Sequence, residues 1–218
     1  MNHLFQLSNF LLILLVALSS VSALSWSPCS STQQSRALNN LLGSSSSSAF
    51  SSSLSLDCLT VPVPLDWNAG WNSRLISLSV VKIRSFGVDD SSHMWFIQGG
   101  PGVPGVATYI PELRNSPALD LILSSNMSII IPDHRGTGNS TPLNCETGYS
   151  PKQCLQQLNK WCDSNCLSHF STTNAAKDLD YLLNLISDSA NIKKYHLFAE
   201  SYGTFHVQRY LMLPNRMS

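Results

Sequence analysis

Charge is scarce in this chain. Only 12% of its 218 residues are Asp, Glu, Lys or Arg, and 13 basic side chains face 13 acidic ones for a formal net charge of zero. No basic run occurs, so the electrostatic footprint that nucleic-acid binding requires is missing. Neutrality does not discriminate among peptide substrates. Long apolar runs are also few. The stretch Phe10–Leu18 is nearly unbroken, but it is too short to span a bilayer as a helix and suits a signal-peptide h-region. Val21-Ser22-Ala23 sets small residues at the cleavage positions, although no Lys or Arg precedes the run. Cleavage is expected after Ala23, leaving no membrane segment; the competing reading is an uncleaved anchor. A third scarcity concerns the segment Tyr202–Ser218, which has neither Asp nor Glu and a single histidine, His206.

Cysteine, by contrast, is present in an even number: Cys29, Cys58, Cys145, Cys154, Cys162 and Cys166. An even count behind a signal peptide reads as disulfides formed in an oxidising compartment, secreted or lysosomal/vacuolar. Six cysteines allow about 15 pairings and sequence does not choose among them. Cys29 with Cys58 would tether the N-terminal arm to the first strand, while the other four crowd one loop. A zinc set of Cys154, Cys162, Cys166 and His169 is the alternative. Mutual pairing is favoured, because thiols in a secreted chain usually bond to each other. No metal and no cofactor is therefore expected. Asn126-Met127-Ser128 and Asn139-Ser140-Thr141 fit the glycosylation acceptor pattern, with Pro142 following the second.

The chain divides into a signal peptide at 1–23, a Ser-rich irregular arm at 24–56 and a folded part at 57–218. Ser44–Ser48 and Ser51–Ser53 bury too little apolar surface to fold alone. Arg36–Leu42 reads as a short helix stopped by Gly43. Pro62 and Pro64 cannot donate to a sheet ladder, which places their strand at an edge. Arg74–Phe86 reads as one or two strands, with a bulge or face switch at Val80-Val81. A turn at 87–90 precedes a strand around Trp95. Pro111–Leu123 reads as a short helix interrupted by Pro117. The best helix is Thr172–Ser187, where Ala175, Ala176, Leu179, Leu182, Leu183 and Ile186 share one face. The strand His196–Ala199 completes a βαβ unit with the Ile129 strand, implying parallel neighbours. A last helix, Gly203–Leu213, would set Val207, Tyr210 and Leu211 against the sheet. Helices alternating with buried strands indicate an α/β layered architecture.

Three segments carry chemistry. The apolar strand Tyr195–Ala199 runs into Glu200-Ser201-Tyr202-Gly203 and then a helical pattern. A serine hydroxyl is a poor nucleophile without a base beside it and donors ready for the oxyanion. A sharp strand-to-helix turn lifts Oγ clear of the backbone and aims the next N–H, that of Tyr202, at the developing charge. The pattern is close to G-x-S-x-G, with Ala199 in the first place; an ordinary turn holding a serine is the bland reading. The second segment ends an apolar strand in Gly99-Gly100-Pro101-Gly102, whose glycines leave peptide N–H groups uncovered. Gly100 is the expected second oxyanion donor. In the third, Ile129–Ile131 leads into Asp133-His134-Arg135-Gly136-Thr137-Gly138-Asn139-Ser140. There Asp133 and Arg135 are expected to brace the loop by ion pairing, and His134 to be held by its neighbours.

In this order the three segments resemble the α/β-hydrolase fold, and more narrowly the proline iminopeptidase and tripeptidyl aminopeptidase group of serine exopeptidases. Gly-Gly-Pro-Gly, Asp-His-Arg-Gly-Thr-Gly-x-Ser, and Ser-Tyr-Gly-Thr followed by Gln208-Arg209-Tyr210-Leu211 are similar to that group. Val61-Pro62-Val63-Pro64-Leu65-Asp66-Trp67 resembles its first strand. The likeness runs from about Cys58 onward. It departs at Gln98, where a histidine usually precedes the glycines. It implies a mostly parallel sheet with flanking helices, Ser201 as nucleophile, and peptide substrates with a free N-terminus. In such folds the triad runs nucleophile, acid, histidine, and Tyr202–Ser218 supplies no acid. The expectation is an N-terminal portion of a larger hydrolase, or a truncated gene model ending after the nucleophile helix, inactive and poorly soluble as it stands. The competing functions are a secreted esterase or lipase, which shares the elbow, and a non-catalytic hydrolase-like binding protein.

Overall fold

A computed structural model describes residues 25–29, 54–85, 91–114, 116–190, 192 and 194–214. The signal segment, most of the Ser-rich arm with its short helix, the 87–90 turn and the last four residues lie outside them. Six strands form one sheet: β1 (Ser27–Pro28), β2 (Leu54–Pro64), β3 (Leu75–Ser85), β4 (Ser92–Ile97), β5 (Met127–Pro132) and β6 (Lys194–Ala199), in the order β1-β2-β3-β5-β4-β6. β1 to β3 and the β3–β5 pair are antiparallel, whereas β4 runs parallel to both β5 and β6. Five helices accompany them: α1 (Gly105–Arg114), α2 (Pro117–Ser124), α3 (Pro151–Trp161), α4 (Thr172–Ala190) and α5 (Tyr202–Leu211).

The sheet is covered on both faces. On one, α4 and α5 set Leu179, Leu182, Leu183, Ile186 and Tyr210 over Val80, Trp95, Ile97 and Ile130. On the other, α1 and α2 set Val106, Tyr109, Ile110, Leu113 and Ile122 over Val81, Phe96, Ile129 and Ile131. Each Leu or Ile so placed contributes about 1.5–3 kcal/mol by leaving water. Two-sided burial explains Val80-Val81. The expected bulge is absent, and β2 and β3 pair without interruption from Leu54↔Ser85 to Pro64↔Leu75. The two valines face opposite cores, and both are fully buried.

Other expectations are also corrected. β2 begins at Leu54, inside the stretch read as irregular, and β1 also lies in that arm. β2 is not an outermost strand; among the described residues β1 pairs with it at Asp57 and Cys58 and Cys29 N donates to the Leu56 carbonyl, which leaves Pro62 and Pro64 beyond that cover. β5 and β6 are parallel but not neighbours, because β4 lies between them. The first helix starts at Gly105 and carries Pro111 inside it, while Pro117 opens a separate helix capped by Ser116. α3 was missed; its signal is a capping box in which Ser150 and Gln153 satisfy each other's backbone. Leu211 points outward at 53% exposure, and Gly203, His206 and Tyr210 make the buried face of α5.

Arg135 holds the connecting segments together. Its Nε and Nη2 donate to Asp178 on α4, each at 2.6 Å, and Nη2 and Nη1 reach the carbonyls of Pro64 and Leu65 at 3.1 and 2.8 Å. Nη1 also donates to the His169 carbonyl at 2.7 Å, and Trp67 Nε1 donates to Asp178 at 2.7 Å. Burial pushes the Asp178 carboxyl up, and the guanidinium and indole donors oppose it. Nearby, His134 and His206 pack edge to face at 4.5 Å between ring centres, with few polar partners. Burial, with His206 beside it, pushes His134 down to about 3, and burial lowers His206 as well.

Two outcomes are expected. Asp178→Ala leaves a buried guanidinium without its counter-charge and should cost about 3–5 kcal/mol in urea unfolding, with Asp178→Asn costing less. The buried histidines bind protons only when unfolded. Their stabilisation is complete above the ordinary pKa near 6.5 and is lost as pH falls toward the folded value. Stability should therefore fall by up to about 1.4 kcal/mol per pH unit per histidine below that point. Asp133 and Asp178, both raised by burial, act in the opposite sense. The comparison is therefore made between the parent chain and His134→Phe, whose pH slope between about 6 and 4.5 should be flatter; equal slopes would refute the assignment.

Candidate active site

β6 ends at Ala199, Glu200 makes the turn, and Ser201 precedes α5 with φ 50° and ψ −126°. A non-glycine residue in that region stores about 1–3 kcal/mol and persists only where its surroundings over-determine it. Two features enforce it. Gly203 N and Thr204 N donate back to the Glu200 and Ser201 carbonyls at 2.8 and 3.1 Å. Gly203 itself lies so close to β4 that an added Cβ would collide with the Ile97 carbonyl oxygen. The helix is then fastened to α4 by Tyr202 Oη with Thr172 Oγ1 at 2.9 Å and by Arg209 Nε to Thr173 Oγ1 at 3.0 Å. Ser201 is exposed. Tyr202 opens α5, so its N–H lacks an intrahelical acceptor.

The Gly-Gly-Pro-Gly turn lies against this serine. A Cβ on Gly99 would stand 3.0 Å from Ser201 Cβ and 3.4 Å from its Oγ. Gly100 and Gly102 take φ of 110° and 91°, which glycine alone adopts readily, and the Gly100–Pro101 peptide is cis. Gln98 is fully buried and its Nε2 donates to the Val103 carbonyl at 3.1 Å, bridging the base of the turn. The residue that departs from the family pattern thus closes the loop by a hydrogen bond of its own.

The Asp133–Ser140 loop lies behind the turn. The expected bracing takes two separate forms: Arg135 makes an ion pair, and Asp133 accepts backbone N–H groups. Asp133 Oδ1 accepts from Val106 N at 3.1 Å and Oδ2 from Asn139 N at 2.9 Å, joining the start of α1 to the loop. Arg135 pairs with Asp178. His134 Nε2 lies 3.3 Å from the Gln98 carbonyl oxygen. His206 is 2% exposed. Among the described residues neither histidine, nor any carboxylate, hydrogen-bonds Ser201 Oγ. On the α1 side of the sheet, Phe96, Tyr109, Leu113, Phe198, Glu112 and Glu200 line a cavity of about 230 Å³ that Ser201 does not enter. Burial and then Glu200 raise the Tyr109 hydroxyl there.

Cys29–Cys58 and Cys145–Cys154 are disulfides, and Cys162 and Cys166 are free thiols. The expected zinc alternative does not assemble, because Cys154 is bonded to Cys145. Cys162, Asp163 and His169 do converge, with ligand atoms within 4.8 Å of one another. Asn126 and Asn139 are both exposed. No helix among the described residues is long and apolar enough to cross a membrane, and the disulfides suit a secretory-type compartment.

Residues 93–218 match the model of the α/β hydrolase fold family. Over 136 residues the chain is 30% identical to proline iminopeptidase aneH of Aspergillus aculeatus, covering 60% of this chain and 28% of that protein. The chain therefore spans under a third of the length of that relative. Among solved structures it is similar to a cold-adapted esterase from an Arctic intertidal metagenomic library, with TM-score 0.47, 13% identity, and 77% and 58% of the two chains covered. It is also similar to acetyl xylan esterase 1 of Thermoanaerobacterium, with TM-score 0.43, 13% identity, and 85% and 56% covered. The family match takes in the glycine turn, the Asp133 loop and the Ser201 elbow, and it extends over more than half of the sequence: the chain belongs to the α/β hydrolase fold family.

Proposed function

We propose that Ser201 is the nucleophile of a secreted or vacuolar serine hydrolase that, in the whole protein, cleaves peptide bonds near a free N-terminus in the manner of prolyl or tripeptidyl aminopeptidases. The observation that carries the nucleophile is the exposed, positive-φ serine between β6 and α5, in contact with Gly99. Its Oγ attacks the scissile carbonyl carbon. The N–H groups of Tyr202 and Gly100 receive the oxyanion, and each such donor is worth about 10²–10³ in rate. Gly99, Pro101 and Gly102 shape the turn, and Asp133 and Arg135 hold the loops behind it. The exopeptidase class is supported by the joint motif set and by the proline iminopeptidase among the relatives. Among the described residues no histidine or carboxylate hydrogen-bonds Ser201 Oγ, so this reading leaves the general base and its orienting acid to other segments of the whole protein.

That same deficit favours a second reading, a non-catalytic hydrolase-like binding protein. Activity-based labelling separates the two. Residues 1–218 alone should react with a fluorophosphonate no faster than a Ser201→Ala control, and the whole protein should label at Ser201. The whole protein should also turn over prolyl or tripeptidyl amides, falling by about 10⁴-fold or more in Ser201→Ala. Labelling of residues 1–218 at an ordinary serine-hydrolase rate would sink the assignment of the base and acid elsewhere. Efficient turnover of short-chain esters with no amide cleavage would make the protein an esterase, and failure of the whole protein to label would favour the binding protein.

A further inference from the structure

Cys162 and Cys166 remain after the two disulfides are formed. Cys162 caps the C-terminal end of α3, and Cys166 opens the 3-10 turn Cys166–Phe170. Cys166 N donates to the Asp163 carbonyl at 3.1 Å, so a single tight turn joins the two cysteines, and each thiol acts electrostatically on the other. We propose that Cys162 and Cys166 form a third disulfide that staples the end of α3 to this turn.

Two observations favour the cross-link over a bound cation. His169 Nε2 and Asp163 Oδ2 already meet at 2.9 Å, so the nitrogen and oxygen that a metal would take are engaged with each other. The thiols, in contrast, have one another. In addition, a chain carrying Cys29–Cys58 and Cys145–Cys154 matures where thiols are oxidised.

The chemistry is thiol–disulfide exchange with a donor disulfide, either glutathione disulfide or a disulfide-bearing oxidoreductase. One thiolate attacks the donor and forms a mixed disulfide, and the second displaces the remaining donor sulfur. Two S–H bonds are lost and one S–S bond is gained. The two electrons reduce the donor to two thiols, which carry off the protons. Cys166 is fully buried in the finished fold, so the exchange precedes final packing and the bond is afterwards shielded from reductant.

The staple acts on the Arg135 clamp. The turn it fixes presents the His169 carbonyl, which accepts from Arg135 Nη1 at 2.7 Å and from Asn174 Nδ2 at 3.1 Å. Three residues further on, Thr172 meets the Tyr202 hydroxyl. The bond thereby stiffens a path from α3 to the first residue of α5.

The test is cysteine mapping of the full chain secreted from a eukaryotic host. The expected result is no uptake of N-ethylmaleimide in denaturant before reduction, uptake at all 6 cysteines after it, and a proteolytic fragment in which Cys162 and Cys166 are joined. Cys162→Ser should then expose Cys166 as a single labelled thiol, a readout that does not require the variant to be stably folded. Labelling of both Cys162 and Cys166 before reduction overturns the proposal. So does either cysteine found joined to another partner, or one zinc per chain released together with two reactive thiols.

Discussion

The absence of a Cβ at Gly203 is the constraint on which the site depends. It allows the first turn of α5 to lie against the carbonyl end of β4, where any side chain would meet the Ile97 oxygen. With the helix that close, the chain leaving β6 has one residue in which to reverse, and Ser201 takes up the positive φ. The exposed Ser201 stands at the crest, and the Tyr202 N–H that opens the helix lies next to it without an intrahelical acceptor, where a helix terminus favours negative charge. The strain of about 1–3 kcal/mol is offset by the burial of Tyr210 and by the ties from Tyr202 and Arg209 to α4.

A second constraint keeps the surrounding loops in place. Arg135 and Asp178 are almost wholly buried, with side-chain exposures of 1% and 6%. Such a pair stabilises only where its geometry is good and its remaining donors are satisfied. Here all 5 guanidinium hydrogen bonds cross to separate segments: two to the end of β2, one to the turn before α4, and two to α4 itself. Asp133 works differently. Its carboxylate accepts backbone N–H groups rather than facing a cation, so it fixes local loop shape while Arg135 fixes the distance between layers.

The elements that position Ser201 were legible because each has a local cause. The β6–Ser201–α5 junction, the glycine turn and the apolar face of α4 follow from residue type and spacing alone. What was not legible depended on partners distant in sequence. Val80 and Val81 look like a face switch until both faces of the sheet are covered. Arg135 next to Asp133 suggests a pair, but Asp178 reaches the guanidinium from α4. The insertion of β4 between β5 and β6 is a topological choice that periodicity does not encode. The start of α1 was hidden because glycine and proline at 104–105 and Pro111 act as breakers, although Val106, Tyr109, Ile110 and Leu113 repeat at helical spacing. For α3 the local cause is the capping box of Ser150 and Gln153.

The position of β6 divides the chemistry. β6 pairs with β4 on one side only, and its other edge is open among the described residues. Its burial differs accordingly: Tyr195 and Phe198 are 40% and 45% exposed, whereas Trp95, Phe96 and Ile97 of β4 lie at 6% or less. Open backbone groups beside exposed aromatics invite further pairing. Ser201 is shaped from the β4 side by Gly99 against its Cβ and by Ile97 against Gly203, and from α4 by Thr172 against Tyr202. Those contacts fix the backbone of Ser201 at the start of α5 and leave the Tyr202 N–H without an intrahelical acceptor. None of them moves a proton. The part of a hydrolase that stabilises charge can thus be assembled by strand, turn and helix start alone, whereas proton transfer needs a base and an acid delivered by other chain segments. The two parts are physically separable, and on the proposed reading this arrangement would contribute the first.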